Sequence, residues 1–217
     1  MLRSTEHLTL AHGACIVVEL ADEAAALAHL APAEQHRAHQ LAPVRRAEYI
    51  AGRTALHRAL AAAKAPFAAV DPILANDRGA PMLPPGWVGS VSHKGAFAAA
   101  LVAPAGAGHI GIDLERAIPP RGDIGRRILT AREQAALPDR GRAVTLRFAI
   151  KEAIYKALDP HLRRYIGFTE VELDLTADAV VVTTDLPFAI EATWREHAGH
   201  WLVTARSTPL DDRTAPR

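Results

Sequence analysis

A single cysteine, Cys15, stands in the whole chain. No internal disulfide can form, so the sequence fits a reducing compartment and a cytoplasmic protein is expected. Cys15 lies in the apolar run from Ala14 to Val18, which reads as a buried small hydrophobe and not as a nucleophile. An excess of one charge is also missing. Twenty-five basic side chains face 24 acidic ones, for a formal net charge of +1. A general polyanion binder carries a larger basic excess, so no nucleic-acid partner is expected. Long apolar runs are scarce. The stretch Ala14–Val18 is shorter than the roughly 7–15 residues of a secretory h-region, so no leader is expected. The uncharged stretch Gly95–Ile112 is broken by Pro104, Gly106, Gly108 and His109, which reads as two strands joined by a turn and not as a membrane span. No glycine-rich phosphate loop follows a strand, which excludes the dinucleotide and P-loop folds. No internal sequence repeat is visible.

What the chain does have is enough apolar surface to fold. Hydrophobic residues are 49% of 217, which suits one large domain or two small lobes. Cys15–Leu20 reads as a strand and Asp22–Leu30 as a helix with Asp22 as N-cap and Pro32 beyond its end. Val44–Lys64 is a long helix with an apolar stripe of Ile50, Leu56, Ala59 and Leu60. Asn76–Gly89 is a Pro- and Gly-containing loop. Gly89–His93, Ala96–Val102 and Gly108–Glu115 read as strands. Ile124–Ala136 and Arg142–Leu158 read as helices separated by Pro138. Short strands follow at Val171–Leu175, Ala179–Thr183, Ala189–Trp194 and His200–Thr204. This order predicts an α+β fold of two α/β lobes, 1–107 and 108–208, with a disordered tail at 209–217.

Four segments carry chemistry. In His109-Ile110-Gly111-Ile112-Asp113-Leu114-Glu115, strand alternation puts Ile110, Ile112 and Leu114 toward the core and Gly111, Asp113 and Glu115 on the other face. Two carboxylates on one face suit magnesium, and Gly111 leaves room beside them; a solvated polar face is the alternative. In Arg147–Leu158, Glu152 and Lys156 lie one turn apart, either as an ordinary ion pair or as a working pair. In Ser90-Val91-Ser92-His93-Lys94, at the end of a strand, Ser, His and Lys can together hold a phosphate; a structural histidine is the alternative. Arg45 and Arg53 differ by roughly 80° on an ideal helix, so both can lean toward one site; a solvated helix face is the alternative.

Together these segments read Arg-Arg-Ala-Glu-Tyr-Ile-Ala-Gly-Arg, Asp-Arg-Gly-Ala-Pro, Ser-Val-Ser-His, Gly-Ile-Asp-Leu-Glu and Phe-Ala-Ile-Lys-Glu-Ala-Ile-Tyr-Lys-Ala. The combination resembles the surfactin-type 4′-phosphopantetheinyl transferases, in the branch containing enterobactin synthetase component D. It runs from about Arg45 to about Glu172, and its diagnostic pair of motifs lies about 40 residues apart.

The resemblance implies two lobes related by a pseudo-twofold, with coenzyme A in the cleft between them. It implies magnesium held by Asp113, Glu115 and Glu152, with Glu152 also the general base, and Lys156 on the pyrophosphate as a second catalytic residue. It implies coenzyme A phosphate contacts from Arg45, Arg53, Ser92 and His93, with Lys151 as a further contact. Many relatives read Gly-Lys-Pro where this chain has Gly79-Ala80-Pro81, so Arg78 is the candidate replacement for that lysine. Glu133 aligns with a family glutamate and reads as a helix-surface carboxylate. The implied partners are coenzyme A and acyl or peptidyl carrier proteins of siderophore, nonribosomal peptide, polyketide or fatty-acid synthesis, and the chain is expected to be a monomer. The alternatives are a magnesium-dependent phosphohydrolase using the same carboxylates, and a non-catalytic module that binds coenzyme A or a carrier.

Overall fold

The computed structural model describes residues 1–68, 70–137, 141–176 and 179–210. Contacts divide the chain into two units, Met1–Gly106 and Ala107–Arg217. Among the described residues every strand pair is antiparallel and the helices are interspersed with these sheets, so the chain is α+β.

The first unit has strands β1 (Leu2–Leu10), β2 (Gly13–Leu20), β3 (Trp87–Lys94) and β4 (Phe97–Pro104), in sheet order β1-β2-β4-β3. Helices α1 (Glu23–Leu27), α2 (Pro32–His39) and α3 (Pro43–Ala62) lie between β2 and β3 in sequence. The core follows the two periodicities. Ile16 and Val18 of β2 and Ala98, Ala100 and Val102 of β4 alternate onto one sheet face. They meet Ala51, Ala55, Leu56, Ala59 and Leu60, one stripe of α3. Each fully buried Leu or Ile there contributes about 1.5–3 kcal/mol.

Two features of this unit depart from the sequence reading. Strand β1 was not expected, because its nine residues alternate poorly and it pairs only with β2 at the sheet edge. Pro32 opens α2 instead of trailing α1, since proline at the first helical position forfeits no hydrogen bond. The expected cap does form, with Ala25 N donating to Asp22 Oδ1 at 3.1 Å.

The second unit has β5 (His109–Arg116), α4 (Gly125–Ile128), α5 (Ala131–Ala136), α6 (Arg142–Leu162), β6 (Glu172–Leu175), β7 (Val180–Thr183), β8 (Phe188–His197) and β9 (His200–Pro209). The main sheet is β5-β9-β8, and β6-β7 is a separate hairpin. The stripe Ala149, Ile150, Ala153, Ile154, Ala157 and Leu158 of α6 packs with Trp201, Val203 and Ala205 of β9.

The helix expected over 124–136 is two helices. Thr130 interrupts it with a capping box, in which Thr130 N donates to Glu133 Oε2 at 2.7 Å and Glu133 N donates to Thr130 Oγ1 at 3.2 Å. Strand β9 runs past the expected Thr204 to Pro209, where the tail was expected to begin. Pro138 and residues 211–217 lie outside the described residues. Among the described residues no helix is long and apolar enough to cross a membrane.

Gly111 decides how β5 meets α6. A Cβ there would sit 1.9 Å from the Ala153 carbonyl oxygen and 2.9 Å from Ala157 N. The space expected beside the carboxylates is therefore filled by the α6 backbone itself.

Candidate functional site

In the first unit, α3, the end of α2, β3 and the turn before β3 enclose a pocket of about 290 Å³. Arg37, Arg45, Tyr49, Arg53, Gly79 and His93 are among its walls. Arg45, Arg53 and His93, far apart in sequence, are thus brought together. Arg53 is only 5% exposed and lies over the Tyr49 ring, 4.6 Å from its centroid. Its Nε is buried and has no hydrogen-bond partner among the described residues. A buried guanidinium with an unsatisfied N–H is costly, and an anion in the pocket would relieve it.

Arg45 instead reaches outward, with Nη1 2.9 Å from Glu48 Oε2, while the other Glu48 oxygen lies 3.5 Å from His93 Nδ1. Glu48 thus tempers the positive charge, and neither it nor Arg37 was singled out from sequence. Arg37 sits on α2, a helix the sequence reading did not contain.

Ser92 is placed differently from His93. The pleat alternates, so Val91 and His93 line the pocket while Ser90 and Ser92 are buried on the opposite face. Arg78 is exposed in a turn closed by Asn76, whose Oδ1 accepts from Arg78 N at 2.9 Å and Ala80 N at 3.0 Å. Gly79, at φ +85°, reaches the pocket wall.

In the second unit, β5 and α6 bring the other group together. Lys156 Nζ donates to Asp113 Oδ1 at 2.7 Å and to the Ile112 carbonyl at 2.8 Å. Asp113 is 7% exposed. Burial pushes the Glu152 carboxyl above its ordinary pKa, the Lys156 charge opposes that rise, and the Asp113 charge adds to it. Glu152, Asp113 and Lys156 therefore share one electrostatic environment.

Glu115 Oε1 accepts from Arg116 N at 2.8 Å. Among the described residues no group of three metal-binding side chains gathers. Asp113 and Glu152 are oxygen donors of the kind that suits a hard cation, and a cation would offset the repulsion between them.

Glu152 also lines an apolar pocket of about 240 Å³ with Ile154, Tyr155, Leu158, Ile166 and Phe168. Segment 164–170 forms part of its wall and is clasped by Arg164 Nη1 on Glu170 Oε1 at 3.0 Å and Nη2 on Oε2 at 2.6 Å. With Gly167 N also donating, the Glu170 pKa is lowered to about 2. A depressed carboxylate pKa adds stability that is present above the unfolded value of about 4.3 and is lost as pH falls through the folded value. An NMR titration of the Glu170 carboxyl should give a midpoint near 2, and a higher midpoint in Arg164→Ala, where the Gly167 bond alone would still lower it. Equal midpoints would dismiss the clasp.

Two site expectations are overturned by burial. Glu133 is no surface carboxylate; it is 2% exposed. Lys151, 3% exposed, does not open onto solvent where an anion could reach it directly: its Nζ donates to Glu133 Oε2 at 2.6 Å, the Ile128 carbonyl at 2.7 Å and the Phe168 carbonyl at 3.0 Å. Three acceptors use up the three N–H groups of an ammonium.

Comparison with known proteins follows the same two units. Residues 33–103 match the family model of the 4′-phosphopantetheinyl transferase N-terminal domain, and residues 109–210 match that of the 4′-phosphopantetheinyl transferase superfamily. The chain is 35% identical over 156 residues to the 4′-phosphopantetheinyl transferase Npt of Nocardia iowensis, covering 65% of this chain and 64% of that protein. It is 36% identical over 166 residues to the 4′-phosphopantetheinyl transferase Svp of Streptomyces mobaraensis, covering 73% of this chain and 63% of that protein. A third relative, the 4′-phosphopantetheinyl transferase PptT of Mycobacterium tuberculosis, is 34% identical over 114 residues, half of each protein. The chain thus spans between half and slightly under two thirds of the length of these relatives.

Proposed function

The chain belongs to the 4′-phosphopantetheinyl transferase superfamily, and on that premise we propose that it moves the 4′-phosphopantetheine arm of coenzyme A onto a serine of a carrier protein. The observation that carries this reading is Glu152 beside Asp113 and Lys156 at the wall of an apolar pocket. A proton acceptor, a compact cation and a slot for an uncharged chain are what the transfer needs.

In this reading the serine oxygen attacks the β-phosphorus of the coenzyme A pyrophosphate. The bond from that phosphorus to the bridging oxygen breaks, and 3′,5′-ADP leaves with the electron pair. Glu152 accepts the serine proton, directly or through a water. Two of the Lys156 donors are held by Asp113 and the Ile112 carbonyl, and the third is read as serving charge that develops on the departing phosphate. The apolar pocket of the second unit is read as the slot for the pantetheine arm, and the Arg37, Arg45, Arg53 and His93 pocket of the first unit is read by itself as a phosphate site. Magnesium belongs to this reading as well, held by Asp113 and Glu152, where it would neutralise phosphate charge. Glu115 is proposed as the third carboxylate of that set.

Arg53→Ala is expected to weaken coenzyme A binding about ten- to hundredfold by calorimetry, the loss of one charge-assisted contact. An unchanged affinity would remove Arg53 from the site. The reaction class is tested by intact mass spectrometry of apo-carriers incubated with the chain, coenzyme A and magnesium. A gain of one phosphopantetheine on any carrier supports the proposal. Phosphate release with no carrier modified would point to a phosphohydrolase.

A further inference from the structure

Lys151 precedes Glu152 on α6, yet the two point to different surroundings. The Lys151 ammonium joins three chain segments that are separate in sequence: the Ile128 carbonyl at the end of α4, Glu133 of α5 and the Phe168 carbonyl before β6. Glu133 extends the joint. Its Oε2 also accepts from Thr130 N at 2.7 Å, and its Oε1 accepts from Leu173 N of β6 at 3.2 Å. Both side chains are buried, so each charge depends on the other. A methionine–glutamine pair of similar volume would fill the same space without charges to desolvate, but it would take the Lys151 donor from the Ile128 and Phe168 carbonyls.

Its location gives it a second task. Lys151, Glu152, Gly167, Phe168 and Val171 line the same apolar pocket. The Lys151 bond to the Phe168 carbonyl therefore ties the far wall, segment 165–171, to the helix that carries Glu152. The outer side of that wall is clasped independently by Arg164 and Glu170. The clasp fixes the shape of the segment, while the Lys151 bond fixes its distance from α6.

We propose that Lys151, locked by Glu133, is a positioning residue that sets the width of the pocket beside Glu152 and so selects for donors carrying the pantetheine arm. This rests on the reading of that pocket as the arm's slot. Lys151 acts on the wall, through the Phe168 carbonyl, and not on the donor's phosphates.

The test compares two ligands by calorimetry on the full chain: coenzyme A, which has the arm, and 3′,5′-ADP, which lacks it. The double variant Lys151→Met with Glu133→Gln removes both charges together, so no buried charge is left unpaired. It should bind coenzyme A about tenfold more weakly, the effect of losing one charge-assisted bond, with 3′,5′-ADP affinity unchanged. Lys151→Arg keeps the buried charge paired, but its planar fork cannot converge on three acceptors as an ammonium does. It should show a smaller loss of the same kind, and it decides the question if the double variant does not fold. Equal loss for both ligands would mean a merely structural lysine and overturn the proposal. So would an unchanged preference for coenzyme A in the variants while the wild type shows one. A wild type that binds neither ligand, or binds both alike, overturns the functional reading itself.

Discussion

Glu152→Gln is expected to lower carrier modification by at least about 10³-fold while leaving the fold as stable as before or more so. The activity loss follows from charge. Glutamine keeps the size of the side chain but neither accepts the serine proton nor offers an anionic oxygen to a cation, and a positioned general base alone is worth about 10²–10⁴-fold. The stability expectation follows from the same burial. The protein holds the Glu152 carboxylate where desolvation and the Asp113 charge both disfavour its ionised form, and only Lys156 favours it. Its pKa is raised, so above that value the native state carries an ionised group the unfolded chain would carry more easily. Removing the charge relieves that cost, the pattern of a site whose function opposes stability. Single-turnover transfer measured beside a thermal melt tests both halves. Retained turnover would remove Glu152 from the chemistry, and a marked fall in melting temperature would mean its charge is a structural contact.

Gly111→Ala should cost the second unit more stability than the same change at Gly108, Gly122, Gly167 or Gly199. The new Cβ would lie 1.9 Å from the Ala153 carbonyl oxygen, well inside any real contact, and both partners are backbone. Neither side chain can rotate away, so α6 must shift from β5. Overpacking of a core costs about 1–3 kcal/mol and sometimes more, and a backbone clash belongs at the upper end. At roughly 2–4 °C per kcal/mol for a chain of this size, the melting temperature should fall by about 6–12 °C. Activity should fall as well, because Lys156 reaches the Ile112 carbonyl and Asp113 across this very contact. An unchanged melting temperature would show that the helix does not lie where the structure places it.

The buried stripe of α6 was legible because Ala149, Ile150, Ala153, Ile154, Ala157 and Leu158 repeat at helical spacing, and all six are buried. Strand β5 was legible for a similar reason, since Ile110, Ile112 and Leu114 alternate. Strand β1 and helix α2 were not. One is a polar edge strand and the other a short helix with little apolar patterning, so their places come from pairing and packing with neighbours and not from local preference. Arg37 was missed with α2. Ser92 and His93 looked equivalent as adjacent polar residues, but the pleat sends one into the pocket and the other to the opposite face.

The two lysines beside Glu152 mark the boundary most clearly. Sequence alone determined that Lys151 and Lys156 share a helix with Glu152 and that Lys156 lies one turn beyond it, because helical geometry depends only on spacing. It also determined the apolar stripe that fixes which way the helix turns. Which lysine is available to a phosphate was decided by tertiary structure. Lys151 is closed off by Glu133, 18 positions away, and by two carbonyls from other segments. Lys156 is held at the Asp113 carboxylate, 43 positions away. A buried ammonium is tolerated only where acceptors converge on it, and that convergence exists only once the separate segments have packed together.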